Sequence, residues 1–208
     1  MTRPPRPTLL YSVIAGVSWP VLHVVYRYRA DGTENLPADS GCVLAAGHAS
    51  NFDPWAIGLA LWPRRFLRFM GKSELFWFPL GPIIAACGAF KVHRGHADRE
   101  AIDTAVALAR EGHVIAMFPE GTRRKKGLRK TREAGAHTGA ARIALKAGVP
   151  LVPAGIKGTD SLRRLAPIRV RYGAPIPLDD LRSLDGAEAA RLATERLMES
   201  IHALEESL

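Results

Sequence analysis

Short apolar stretches recur along the chain, and segments of helical character separate them. Residues 42–47 read CVLAAG, residues 113–119 HVIAMFP and residues 149–156 VPLVPAGI. Each is too short for a helix of its own and ends in, or runs directly into, a polar or turn residue, the pattern of a strand buried on both faces. Residues 65–72 (RFLRFMGK) and 89–94 (AFKVHR) predict two further strands, and IRVRY at 168–172 predicts a later one at a sheet edge. Between them, residues 98–111 place Ala101, Ile102, Ala105, Leu108 and Ala109 at helical spacing before Gly112. Residues 138–148 form a second such helix, closed by Gly148. A capping box at Asp185 and Glu188 opens a third, whose apolar stripe is Ala189, Ala193, Leu197, Ile201, Leu204 and Leu208. Alternation of this kind predicts an α/β fold with a mixed, largely parallel central sheet flanked by helices. In such sheets the ligand crevice lies beyond the carboxyl ends of the strands. Three of those ends carry polar residues: His48, Arg94, and Glu120 through Arg123.

At 208 residues the chain suits one domain, with 29 Lys and Arg against 20 Asp and Glu, a net charge of +9. The excess calls for an anionic partner: a phosphorylated substrate, a membrane surface or nucleic acid. Cys42 and Cys87 are 45 residues apart in apolar surroundings and make neither a disulfide framework nor a zinc pattern. The first segment is the unusual one. Residues 7–26 carry no formal charge, between Arg3 and Arg6 on one side and Arg27 and Arg29 on the other. A span needs about 20 apolar residues, yet Pro20 and His23 interrupt this one. Three readings are open: an interfacial or re-entrant helix, a marginal transmembrane span, or a helix buried in the protein. Basic flanks and Tyr11, Trp19 and Tyr26 favour contact with an anionic membrane surface. The expected organisation is therefore a membrane-associating segment over 1–28 and an α/β domain over 29–208.

Chemistry concentrates in three stretches. In GHASNFDPW (47–55), His48 is a natural general base near neutral pH, and Asp53, five residues on, could orient it. Asp53 directly before Pro54 also suits the N-cap of a helix whose first residue is that proline. The second stretch, FPEGTRRKKG (118–127), runs from a buried strand through a glycine turn into four consecutive cations, and Arg123 is placed to grip a phosphate. In the third, GAFKVHRG (88–95), Arg94 reads as a phosphate anchor. His93 and His96 have metal-like spacing but lack a completed ligand set, so no metal is expected. GKS at 71–73 fails as a P-loop because Phe66 stands where the first glycine is required.

Taken in order, His48 to Asp53, Gly88 to Arg94, Phe118 to Arg123 and Val149 to Pro153 resemble the four motifs of the glycerolipid acyltransferase superfamily, the lysophosphatidic acid acyltransferases of the PlsC type. The resemblance covers about residues 40–160. It implies that His48 deprotonates the free hydroxyl of a lysophospholipid, with Asp53 orienting it, for attack on an acyl thioester of CoA or acyl carrier protein. It also implies that Arg94, Glu120, Gly121, Thr122 and Arg123 bind the acceptor, the arginines on its phosphate. The thioester is a co-substrate, and no cofactor is required. The enzyme would work on the cytoplasmic face of a membrane, and nucleic acid is not an expected partner. Gly47 stands where the family often has Asn, and residues 131–140 depart from its usual pattern. The remaining alternatives are the same chemistry on glycerol 3-phosphate, another lysophospholipid or a glycolipid, and a non-catalytic basic binding module.

Overall fold

The computed structural model describes residues 5–92, 98–120 and 136–208. Helix α1 (Leu9–Val25) is followed by strands β1 (Arg29–Asp31) and β2 (Cys42–Ala46), helix α2 (Asp53–Leu59) and strand β3 (Leu67–Lys72). Then come α3 (Leu80–Ala86), β4 (Ala89–Val92), α4 (Asp98–Arg110), β5 (Val114–Met117) and α5 (Gly139–Ala147). Strands β6 (Leu151–Lys157) and β7 (Arg169–Tyr172) and the long helix α6 (Gly186–Glu206) complete the chain.

The strands form one seven-stranded sheet in the order β1-β7-β6-β2-β5-β3-β4. The pairing is parallel except between β6 and β7. Strand β2 is buried at every position. Its alternate residues serve opposite faces: Cys42, Leu44 and Ala46 point into the layer built with α1 and α2, and Val43 and Ala45 into the layer under α4, α5 and α6. This two-faced burial is why the strands read as continuous apolar runs rather than alternating ones. Small residues on α5 and α6, such as Ala140, Ala141, Ala189 and Ala193, let those helices pack close to the sheet. Helices α4 and α5 stop before glycines with positive φ, Gly112 at 93° and Gly148 at 70°. Helix α6 starts at Asp185, whose carboxylate accepts from the Ala187 amide at 3.0 Å.

One strand differs from its expectation. Strand β7 is interior to the sheet, because β1 pairs along its outer side in register, Arg29 with Arg169 and Asp31 with Arg171. Strand β1 consists of only Arg, Ala and Asp and carries no apolar signal, so the sequence pattern puts the edge one strand too far in.

The amino end of the sheet is closed by a buried arginine. Arg65, just before β3, is only 8% exposed and forms no salt bridge among the described residues, although the Asp39 charge acts on it. Instead its guanidinium donates to the carbonyls of Pro37, Ala38, Ser40 and Gly112. These precede β2 and β5, so one side chain ties the starts of three strands together. Burial holds Arg65 below its ordinary pKa. The four hydrogen bonds it donates offset the cost of desolvating the charge.

Helix α1 turns one stripe inward, with Tyr11, Ala15 and Leu22 buried. Tyr11 packs its ring against Trp55 and Phe66, at centroid distances of 5.1 and 5.3 Å. The opposite stripe is equally apolar but faces outward, with Leu9, Val13, Val17 and Val24 exposed. Among the described residues no helix is long and apolar enough to cross a membrane.

Candidate active site

The loop after β2 carries His48 to the carboxyl end of the sheet, and the chain turns back at once into α2. In that turn His48 Nδ1 lies 2.9 Å from Asp53 Oδ2. The same oxygen accepts the backbone amides of Ala49 and Ser50, each at 2.8 Å. The Asp53 carboxylate is fully buried; these three donors replace water at Oδ2, while Oδ1 is buried without a hydrogen-bond partner among the described residues. His48 keeps 18% of its side chain exposed. With Nδ1 committed to Asp53, Nε2 is the nitrogen left for proton chemistry, and the carboxylate fixes that tautomer.

Asp53 does this from a position different from the expected cap. It is the first residue of α2, not the residue before it; Phe52 takes the N-cap position and makes no side-chain cap bond. The carboxylate points backwards to the amides of the preceding turn instead of forwards to its own helix. Capping its own helix would have aimed it at amides beyond Pro54 and away from His48. The Asp-Pro pair still opens the helix, and the proline costs nothing where no intrahelical donor is needed.

A third side chain holds the imidazole. The Phe118 ring, one residue past β5, stacks on His48 with centroids 4.3 Å apart and planes 26° from parallel. The sheet register explains the contact: β2 and β5 are neighbours, and Ala45 pairs with Met117. His48 and Glu120 each lie three residues beyond that pair, so the two strands deliver them to the same end of the sheet. Sequence reasoning placed Phe118 in a motif but gave it no role; pairing of two buried strands that both lead into polar turns was the signal available. Glu120 sits partly buried in the turn after Pro119, whose carbonyl accepts the His137 amide at 2.8 Å. Arg94, Gly121, Thr122 and Arg123 lie outside the described residues, as do His93 and His96.

Neither cysteine competes as a nucleophile. Cys42 is buried in β2, and burial pushes its thiol up to about 12. Burial also raises Cys87. A buried carboxylate and an oriented, partly exposed imidazole at the carboxyl end of the sheet can therefore perform general-base chemistry without an enzyme-bound intermediate.

Residues 27–157 match the Acyltransferase family model, which includes β2, the His48 turn, β5 and β6. The chain is 33% identical over 205 residues to the 1-acyl-sn-glycerol-3-phosphate acyltransferase of Bacillus subtilis (strain 168), spanning 96% of this chain and 98% of that one. It is 28% identical over 197 residues to the enzyme of the same name from Streptococcus pneumoniae (strain ATCC BAA-255 / R6), covering 90% of this chain and 70% of that one. Its fold is like the crystal structure of the 1-acyl-sn-glycerophosphate acyltransferase PlsC from Thermotoga maritima, with a TM-score of 0.65, 24% identity and coverage of 94% and 78% of the two chains. The fold, the matched span and the relatives agree: the chain belongs to the acyltransferase family.

Proposed function

We propose that the protein moves a fatty acyl group from an acyl thioester to the free hydroxyl of 1-acyl-sn-glycerol-3-phosphate. The observation that carries the mechanism is the 2.9 Å bond from His48 Nδ1 to the buried Asp53 carboxylate. His48 Nε2 takes the proton of the acceptor hydroxyl as its oxygen attacks the thioester carbonyl carbon. The tetrahedral intermediate then collapses with cleavage of the carbon–sulfur bond. The thiolate leaves and regains a proton from the imidazolium, which returns His48 to its starting state. Asp53 stabilises that imidazolium in a site where water cannot. Arg94, Gly121, Thr122 and Arg123 hold the acceptor with Glu120, the arginines on its phosphate. The net charge of +9 favours such a dianionic acceptor. The donor is acyl-CoA or acyl carrier protein, and no cofactor takes part.

The site works at a membrane surface on the cytoplasmic side, with α1 lying in the interface. Support comes from the outward apolar stripe of α1, its 17-residue length and the basic residues around it. The purified protein is to be assayed with oleoyl-CoA and oleoyl carrier protein against 1-oleoyl-glycerol 3-phosphate, glycerol 3-phosphate and neutral or zwitterionic lysophospholipids. Turnover is expected first on the lysophosphatidic acid; preferential turnover of another acceptor would reassign the substrate and leave the chemistry.

A further inference from the structure

A second apolar surface lies apart from α1. Over nine residues the chain exposes Leu75 (45%), Trp77 (57%), Phe78 (85%) and Ile83 (43%). Single exposed apolar residues are ordinary, but two adjacent large aromatics at a loop tip are not. Their place in the fold is informative. Residues 73–79 leave the carboxyl end of β3, the sheet end that also bears His48 and Glu120, and α3 then runs back toward the start of β4. Helix α1 lies alongside: Thr8 Oγ1 at its start donates to the Ala86 carbonyl at the end of α3, at 2.7 Å. The end of α1 leads to β1, whose first residue is in register with Arg169, itself paired with Lys157 at the carboxyl end of β6. So α1 starts beside the end of α3 and crosses the sheet toward its β1 edge, and the aromatic tip stands at the catalytic end of the β3–β4 side.

We propose that the Trp77–Phe78 tip is a second membrane-inserting element, which sets the distance of His48 from the lipid interface. The occupant is a bilayer with anionic headgroups. This rests on the membrane reading of α1 and adds to it a contact beside the reacting atoms. Charge argues for that occupant. Arg27, Arg29, Lys157, Arg163, Arg164 and Arg169 all belong to the same sheet end, on its β1–β7–β6 side where α1 ends, while the acids of that end are Glu74 in the tip segment, buried Asp53, Glu120 and Asp160. Arg27 and Arg169 are also fixed in place, Arg27 donating to the Leu165 carbonyl at 2.8 Å and Arg169 to the Arg27 carbonyl at 2.5 Å. A plane laid across this sheet end meets those cations beside the end of α1 and the aromatic tip on the β3–β4 side, and cations with apolar and aromatic side chains match anionic headgroups above acyl chains. Tryptophan and phenylalanine are suited to the boundary between the two. A helix lying flat fixes the protein on the surface but leaves it free to roll about the helix axis. A second anchor at the catalytic end removes that freedom and keeps the His48 turn facing the acyl substrates.

The test uses the full chain and vesicles of phosphatidylglycerol and phosphatidylcholine. The emission of wild type minus that of Trp77→Phe reports on Trp77. It is expected to shift to the blue on vesicle addition and to be quenched by lipids brominated along the acyl chain. The double variant Trp77→Ser, Phe78→Ser is expected to lose about tenfold in vesicle partitioning. Its turnover of short-chain, fully dissolved acceptor and donor should stay within about twofold of wild type. If wild type binds vesicles while Trp77 is neither shifted nor quenched and the double variant partitions normally, the tip lies outside the bilayer and this inference fails, with the role of α1 intact. If wild type binds no vesicles, the membrane reading itself falls and takes this one with it.

Discussion

Two ionisable side chains are buried at opposite ends of the same sheet, and only one of them belongs to the site. Asp53 is fully buried at the carboxyl end, and Arg65 is 8% exposed at the amino end. Each recovers hydrogen bonds it lost to water, Asp53 at Oδ2 from N–H donors and Arg65 from carbonyl acceptors. The difference lies in who the partners are. All four bonds of Arg65 go to backbone, so its charge is spent on holding three strand starts together. Asp53 accepts two bonds from backbone and the third from a side chain that reaches solvent. A buried charge becomes chemically useful when one of its bonds ends on a group that can meet a substrate. Burial alone does not distinguish the two.

The comparison can be broken from either side. The largest effect is expected from Asp53→Asn, which keeps the shape but removes the charge and presents His48 with an amide that no longer fixes its tautomer. Acyl transfer should fall about 10³- to 10⁴-fold, by analogy with the same change in hydrolytic triads. Circular dichroism and the melting profile should stay close to wild type. Arg65→Met should do the reverse. Four carbonyls lose their donor, and urea unfolding should show a loss of about 3 kcal/mol. The rate per folded molecule should remain within about twofold of wild type, and a large fall in kcat would mean that the amino end communicates with the site.

Phe118 tests how far the oriented imidazole depends on its neighbour as well as on its carboxylate. Removing the stacked ring in Phe118→Ala should lower kcat about tenfold with little change in KM for the acceptor. Phe118→Tyr keeps a stacking face and should restore most of the rate. A rise in KM alone would instead make Phe118 a substrate contact.

The smallest effect concerns the amino end again. His113, just before β5, has its pKa held below the ordinary 6.5, first by burial and then by Arg68 and Arg65, with Glu111 opposing. A histidine lowered in the fold binds its proton first in the unfolded chain. Stability should therefore decline as pH falls through about 6.5 and stop declining below the lowered folded value. His113→Gln should flatten that acid-side decline, measured as urea midpoints at about pH 7.5 and about pH 5.5, either side of the ordinary histidine pKa. An unchanged slope would assign the decline to other groups.

Much of this was legible in the sequence, for physical reasons that differ from place to place. The interior parallel strands announce themselves because burial on both faces demands unbroken apolar runs, as at residues 42–46 and 114–117. Strand β1 does not, since three residues at a sheet edge can be held by backbone bonds alone. His48 and Asp53 were readable because the partners are five residues apart in one turn. The backward aim of the carboxylate was not, because it depends on which amides that turn presents. Arg65 reads as the first residue of the strand expected over 65–72; its burial is set by two segments distant in sequence, one before β2 and one before β5. The role of Phe118 likewise appears only once β2 and β5 are known to be neighbours. Arg94 and residues 121–123 rest on the family motifs, as they lie outside the described residues.

The central claim is that His48, mounted on Asp53, removes the proton from the acceptor hydroxyl. It is tested most directly by the steady-state rate of oleoyl transfer from oleoyl-CoA to 1-oleoyl-glycerol 3-phosphate for wild type and His48→Ala. The account predicts ready turnover by wild type and a loss of at least about 10³-fold in the variant, with its fold intact. A folded His48→Ala protein that keeps a rate near wild type would contradict it.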